Sequence, residues 1–146
     1  MIPLSGPSGA ATSKVYCTKE TSAQPAATTG IIKVTAKLSG CVNLAPSATD
    51  VSTVNTKTAK ATAKTTWAGG KGTTLQSLSY KAATKAQGIG KCPKATTTGR
   101  IFVTAKVTGG TGAALKAIPK GSIGKTSVCE LKNGTAVLEP GTKATF

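Results

Sequence analysis

Two stretches set the strongest constraint on what this chain can fold into. Residues 30–40 read GIIKVTAKLSG and residues 99–109 read GRIFVTAKVTG, identical at seven positions and offset by 69. In the first copy Ile32, Val34, Ala36 and Leu38 share one face, and Lys33, Thr35 and Lys37 share the other. In the second, Ile101, Val103, Ala105 and Val107 point one way and Arg100, Thr104 and Lys106 the other, with Phe102 an exception on the polar face. An apolar/polar period of two is the pattern of a strand with one buried side. Residues 57–67 alternate in the same way. Ala59, Ala61, Ala63, Thr65 and Trp67 oppose Thr58, Lys60, Thr62, Lys64 and Thr66. Alanine alone favours helix, but the threonine load and the strict period favour strand. Two copies are too few for a solenoid. They suit two equivalent strands, one in each half of a sandwich.

Turn chemistry fills in the rest. Residues 68–72, AGGKG, turn the chain into a further strand at 73–80. Asn133-Gly134 is the strongest hairpin signal. A two-residue turn there pairs Lys132 with Thr135, Leu131 with Ala136 and Cys129 with Leu138. That register puts Cys129, Leu131, Ala136 and Leu138 on one face. Pro140-Gly141 leads to a short last strand at 142–146. Residues 43–51, 80–95 and 109–121 lack alternation and read as loops, with one helical turn at 113–118 before Pro119. Residues 1–12 read as disordered or extended, which leaves 13–146 as a single domain. Seven to nine short strands of this kind predict an all-β fold, an Ig-like β-sandwich ahead of a small β-barrel.

The core available to such a fold is thin. Aromatics are 3 % of the chain, and Trp67 is the one tryptophan, read as the core anchor. Four cysteines, Cys17, Cys41, Cys92 and Cys129, contain no C-x-x-C pair, so zinc-ribbon and thioredoxin readings fail. An even count in a small chain points to two disulfides and an oxidising compartment. Three pairings are open. The simplest is 17–41 with 92–129, because one cysteine precedes and one follows each repeat copy. No apolar run reaches the ~18 residues of a membrane span. The first residues, MIPLSGP, lack the basic and apolar regions of an export signal. A secreted or cell-surface protein numbered from beyond a removed signal is the expectation.

Several function classes are excluded. There is no histidine, so no histidine triad, ligand or general base exists. The four carboxylates, Glu20, Asp50, Glu130 and Glu139, are scattered, which argues against paired-carboxylate hydrolysis or an acidic calcium site. Ser-Lys and Thr-Lys neighbours occur throughout, as this composition demands, without an S-x-x-K set or a G-x-S-x-G elbow. No catalytic residue, metal or cofactor is assigned.

What remains is charge. Nineteen Lys and Arg against four acids give a net +15. Lys33, Lys37, Lys60, Lys64 and Lys106 stand on the polar faces of the predicted strands, with i and i+4 about 13 Å apart. Lys71, Lys81, Lys85, Lys91, Lys94, Lys116, Lys120 and Lys125 are placed in loops. Such a surface attracts polyanions in a salt-sensitive way. With eighteen lysines to one arginine and no nucleic-acid-binding pattern, specific recognition of nucleic acid is not expected. The expected partners are anionic cell-wall polymer or lipid head groups. The alternative is a structural or protein-interaction module that self-associates through strand edges, with Phe102 as an exposed apolar contact.

One resemblance joins these motifs. Val15-Tyr16-Cys17, VTAKLSGC at 34–41, TTWAGGKGT at 65–73, VTAKVTGG at 103–110 and LEPGTKATF at 138–146 follow in order. This order resembles small secreted Gly/Ala/Thr-rich proteins of actinobacteria, the mycobacteria and their relatives. The resemblance runs from Tyr16 onward and implies export and a β fold, but no mechanism. The lysine content departs from the texture of that group.

Overall fold

Among the described residues, alternating side chains and glycine turns give nine strands, of which the first eight close on themselves. The computed structural model describes residues 12–23 and 30–146. In order the strands are β1 (Tyr16–Ala23), β2 (Ile31–Val42), β3 (Ser47–Asn55), β4 (Lys60–Trp67), β5 (Gly72–Thr84), β6 (Thr97–Gly110), β7 (Ile123–Leu131), β8 (Thr135–Leu138) and β9 (Ala144–Thr145). One α-helix among the described residues, α1 (Gly112–Ala117), lies between β6 and β7. Each of the first eight strands pairs antiparallel with the next, and β8 pairs back onto β1. The short β9 adds to the other end of β1, with Tyr16 opposite Thr145.

The architecture is therefore an eight-stranded up-and-down barrel, not an Ig-like sandwich. The two disulfides and the all-β class are as the sequence predicts, and so are the strands at β2, β4 and β6, whereas β1 and β3 are not among the predicted strands. The closure is not predicted either, and its cause lies at β1. That strand pairs with β2 from Tyr16 to Ala23 and with β8 from Thr21 to Ala23, so it closes the seam. The repeat copies form β2 and β6, four strands apart and so on opposite walls of the barrel.

Inward residues follow the alternation. Ala36 and Leu38 of β2, Ala61, Ala63, Thr65 and Trp67 of β4, and Ala105 and Val107 of β6 are buried. Ala59 leaves the pattern because it sits in the β3–β4 turn with φ 57°. One end of the barrel is filled. Trp67 and Phe146 meet edge to face at 4.9 Å, with Leu38, Val107, Ala114 and Ile118 around them. Trp67 is 2 % exposed and donates from Nε1 to Thr74 Oγ1 at 2.9 Å, so its polar edge is satisfied in the core. The helical turn expected at 113–118 is α1, whose Ala114 and Ile118 cap this end.

Three further expectations are corrected. Residues 43–51 and 80–95 are not wholly loop. β3 begins at Ser47 and β5 runs to Thr84, both as edges of continuous ladders. The β7–β8 hairpin pairs Cys129 with Val137 and Glu130 with Ala136, one residue off the predicted register. The loop is longer than two residues, with Gly134 at φ 85° and its N–H bonded to Leu131 O, the form in which a positive-φ glycine follows an ordinary turn. Cys129 and Leu131 consequently point outward, while Val128, Ala136 and Leu138 point in. The expectation for residues 1–12 lies outside the described residues, apart from Thr12.

The disulfides pair as the simplest scheme predicts, Cys17–Cys41 and Cys92–Cys129. The first joins directly opposed residues of β1 and β2. The second fastens the β5–β6 connection to the outside of β7, and Ile89, Cys92 and Cys129 form a small satellite core there. Two disulfides fit an oxidising environment.

Candidate functional site

Charge in this molecule is sorted by side. All eighteen lysines are exposed, and none of the four carboxylates is. Among the described residues the one ion pair is Arg100–Glu139, at 3.5 Å. The outside of the barrel is therefore a predominantly cationic wall, on which Glu139 pairs with Arg100 and no lysine is in an ion pair among the described residues.

Lys33 and Lys37 stand on β2, Lys60 and Lys64 on β4 and Lys106 on β6, all outward. The structure does not gather them into one patch. In register, Lys33 is followed around the wall by Thr53, Thr62, Ser77 and then Lys106. Lys64 lies between Val51 and Leu75, and Lys37 opposite Thr49. No two of the five are direct cross-strand neighbours, an arrangement that avoids like-charge repulsion. Lys81 and Lys125 belong to β5 and β7 and extend this wall, contrary to their reading as loop residues.

Phe102 is not an exposed contact. It is half-buried beneath Arg100, whose guanidinium carbon lies 4.2 Å from the ring centre. Arg100 also faces Glu139, which is 7 % exposed. Burial alone would raise the Glu139 carboxyl. The Lys91 backbone N–H at 2.9 Å, the Ser127 hydroxyl at 2.7 Å and the Arg100 charge together bring it below the usual carboxylate range. Closure of the barrel also occupies both sides of β1, which removes the free strand edges that self-association would use.

The inside of the barrel carries chemistry that spacing did not reveal. An eight-stranded barrel is just wide enough to be filled by side chains. Here Ala36, Ala61, Ala63, Ala105, Ala136 and Gly124 line much of the wall, and alanine is too small to fill it. A cavity of about 110 Å³ remains. Val34, Leu78, Ile101 and Val103 form its apolar sides, and Phe146 contributes to its floor. Tyr80, 43 % exposed, stands among the lining residues farthest from the Trp67 end.

Glu20 and Asp50 project into this space from β1 and β3, on either side of β2. Asp50 accepts from Thr65 Oγ1 at 2.8 Å and Ser52 Oγ at 3.1 Å. Burial raises its carboxyl, and these two donors oppose the rise without cancelling it. Glu20 makes no hydrogen bond or ion pair among the described residues. Burial, with the nearby Asp50 charge added, pushes it up to about 7. Burial likewise raises the Tyr80 phenol. The sequence shows Glu20 and Asp50 as isolated acids thirty residues apart. Only closure of the barrel brings both onto one interior.

No known protein family, curated protein or solved structure matches this chain. Among the described residues, no group of three or more acidic or cysteine side chains is placed to hold a metal ion. No helix among them is long and apolar enough to cross a membrane.

Proposed function

We propose that this protein is a secreted, non-catalytic envelope or extracellular protein whose outer wall binds anionic polymer. The observation that carries this reading is the sorting of charge: every lysine exposed, every carboxylate withdrawn. Unpaired lysines spaced along strands act as point charges for phosphates or carboxylates on a flexible chain. A polymer can follow lysines distributed around a barrel. A bilayer is planar and engages one face at a time, so polymer is favoured over lipid head groups. The disulfides support an extracytoplasmic setting.

The test is retention of the oxidised protein on isolated bacterial envelope across a salt series, against a scrambled polypeptide of equal charge. One variant replaces Lys33, Lys37, Lys60, Lys64 and Lys106 by Gln. A second, of the same net charge, replaces Lys71, Lys91, Lys94, Lys116 and Lys120. The strand-face variant is expected to lose retention several-fold more than the loop variant, and salt to weaken both. Equal losses would reduce the wall to a non-specific charge. Retention no better than the scrambled control overturns the reading. Stronger retention on anionic vesicles than on envelope polymer would transfer it to lipid.

A further inference from the structure

We propose that the barrel interior is a binding site for a small organic amine, its ammonium group held between Glu20 and Asp50 and its apolar part against Val34, Leu78, Ile101 and Val103. This does not rest on the outer-wall reading, because it uses the opposite charge on the opposite side of the sheet.

Three observations converge. The first is the cavity, which at about 110 Å³ approaches the size, ~150 Å³, of an engineered cavity that takes up benzene. The second is its charge. Two carboxylates line it, and no lysine or arginine does. A protein with eighteen lysines has thus left its interior acids without a cationic partner. The third is Gln76, 6 % exposed and aimed into the same space. Its side-chain amide makes no hydrogen bond among the described residues and opens onto the cavity, so its donors and its acceptor are free for a ligand. Gln76 sits at the register shift between Leu75 and Gln76 in the β5–β6 ladder, a kind of irregularity that re-aims side chains near sites. Its oxygen supplies a further acceptor for an ammonium N–H, and Ser22 and Thr126 add hydroxyls to the lining.

The ligand class follows from these groups. An anion is rejected by Glu20 and Asp50. A wholly apolar molecule leaves the acids and the amide unsatisfied, at a cost in affinity. An ammonium on a compact apolar body satisfies both halves of the lining. Binding is then pH-dependent, with Glu20 the controlling group. The titratable groups facing it are Asp50 from β3 and Tyr80 from β5. The lining side chains from β2, β6, β7, β8 and β9 contribute none. Below pH 6 the Glu20 carboxyl is largely protonated and the attraction weakens. Towards pH 8 it is ionised and the attraction is full.

The probes are benzylamine, benzyl alcohol and benzoate, similar in shape and different in charge, titrated calorimetrically into the oxidised full-length chain. Benzylamine is expected to bind at least tenfold more tightly than either analogue at pH 8, and to lose about tenfold by pH 5. Glu20→Gln should cut the preference over benzyl alcohol severalfold, the remainder resting on Asp50, and flatten the pH dependence between 5 and 8, while circular dichroism shows an intact fold. Gln76→Leu should weaken benzylamine severalfold and leave its pH profile in place. Moderate salt should leave amine binding intact while releasing polyanion from the outer wall, so the two proposals fail separately. Equal binding of the three probes, no binding of any, or a preference unchanged in Glu20→Gln overturns the assignment.

Discussion

Thr65 donates to Asp50 across the β3–β4 ladder, Oγ1 to Oδ1 at 2.8 Å, from a position with no solvent exposure. The bond ties a carboxylate inside the barrel to the strand that carries Trp67. Thr65→Val keeps the shape and removes the donor. Asp50 then rises further, and the ionised form loses one of its two side-chain donors. Stability at pH 8 should fall by about 1–3 kcal/mol, the cost of an unsatisfied buried group. Urea denaturation at pH 8 and pH 4 checks this: the deficit should shrink at the lower pH, because the raised Asp50 carboxyl takes up its proton as pH falls. A deficit of equal size at both would assign the effect to packing alone.

Glu20 makes stability depend on pH in a particular direction. Its folded-state pKa, about 7, lies above the ordinary 4.5. The folded protein therefore holds a proton that the unfolded chain releases. Stability from this group is full below pH 4.5 and is lost as pH rises through 7. The difference is at most about 3 kcal/mol, at 1.36 kcal/mol per unit. Glu20→Gln should be more stable than the parent at pH 8, equal to it near pH 4, and free of that slope. Chemical denaturation from pH 4 to 8 measures both. A parent curve that rises across this window would contradict the burial assigned to Glu20.

The strands and inward faces of β2, β4 and β6 and the disulfide partners were legible because each rests on local information. The period of two assigned Val34, Ala36 and Leu38 to one side, and one cysteine ahead of and one behind each repeat copy suggested both bridges. Barrel and sandwich share that period, so alternation could not choose between them. The choice depends on whether β8 returns to β1, a contact between residues more than a hundred positions apart. Phe102 looked anomalous because the sequence does not show that Arg100, two residues earlier on the same strand face, covers it. The lysines of the outer wall were legible one by one, but their dispersal around a cylinder was not. Nor was the interior site. Alanines that read as modest core residues are what leave the cavity, and Glu20 and Asp50 acquire meaning only once the wall curves.

The cluster outside β6 and β7 predicts a second pH effect, opposite in sign. Glu139 is held below the usual range, so its stabilisation is present above pH 4.5 and is lost as pH falls through its folded pKa. Gly90 is essential to the cluster. Its φ is 54°, and a Cβ there would collide with the Arg100 guanidinium and the Glu139 carboxylate. Gly90→Ala should cost about 1–3 kcal/mol at pH 7 through strain and separation of that pair. Glu139→Gln should cost a similar amount at pH 7 and progressively less as pH falls through the folded pKa of Glu139. Thermal unfolding across that fall in pH separates them, because the Gly90→Ala penalty contains a backbone part that persists in acid.

The two disulfides should differ in local rather than global effect. They close 24 and 37 residues of chain, and chain entropy alone separates such loops by only about 0.4 kcal/mol. Replacing either pair by serines should therefore lower global stability by a comparable ~2–4 kcal/mol. The native states respond differently. Cys17 and Cys41 are already opposed in a ladder running from Tyr16 to Ala23, so β1 and β2 stay paired without the bridge. Cys92 sits in a connection held to the barrel by little else, the Ile89 contact and the Lys91–Glu139 bond among its few ties. Loss of Cys92–Cys129 should free residues 88–94 to exchange amide protons many-fold faster and raise the Glu139 carboxyl towards its ordinary value. Loss of Cys17–Cys41 should leave both unchanged. Hydrogen exchange on the two serine variants decides it, and equal protection at 88–94 in both would mean that the satellite core, not the bridge, holds the connection in place.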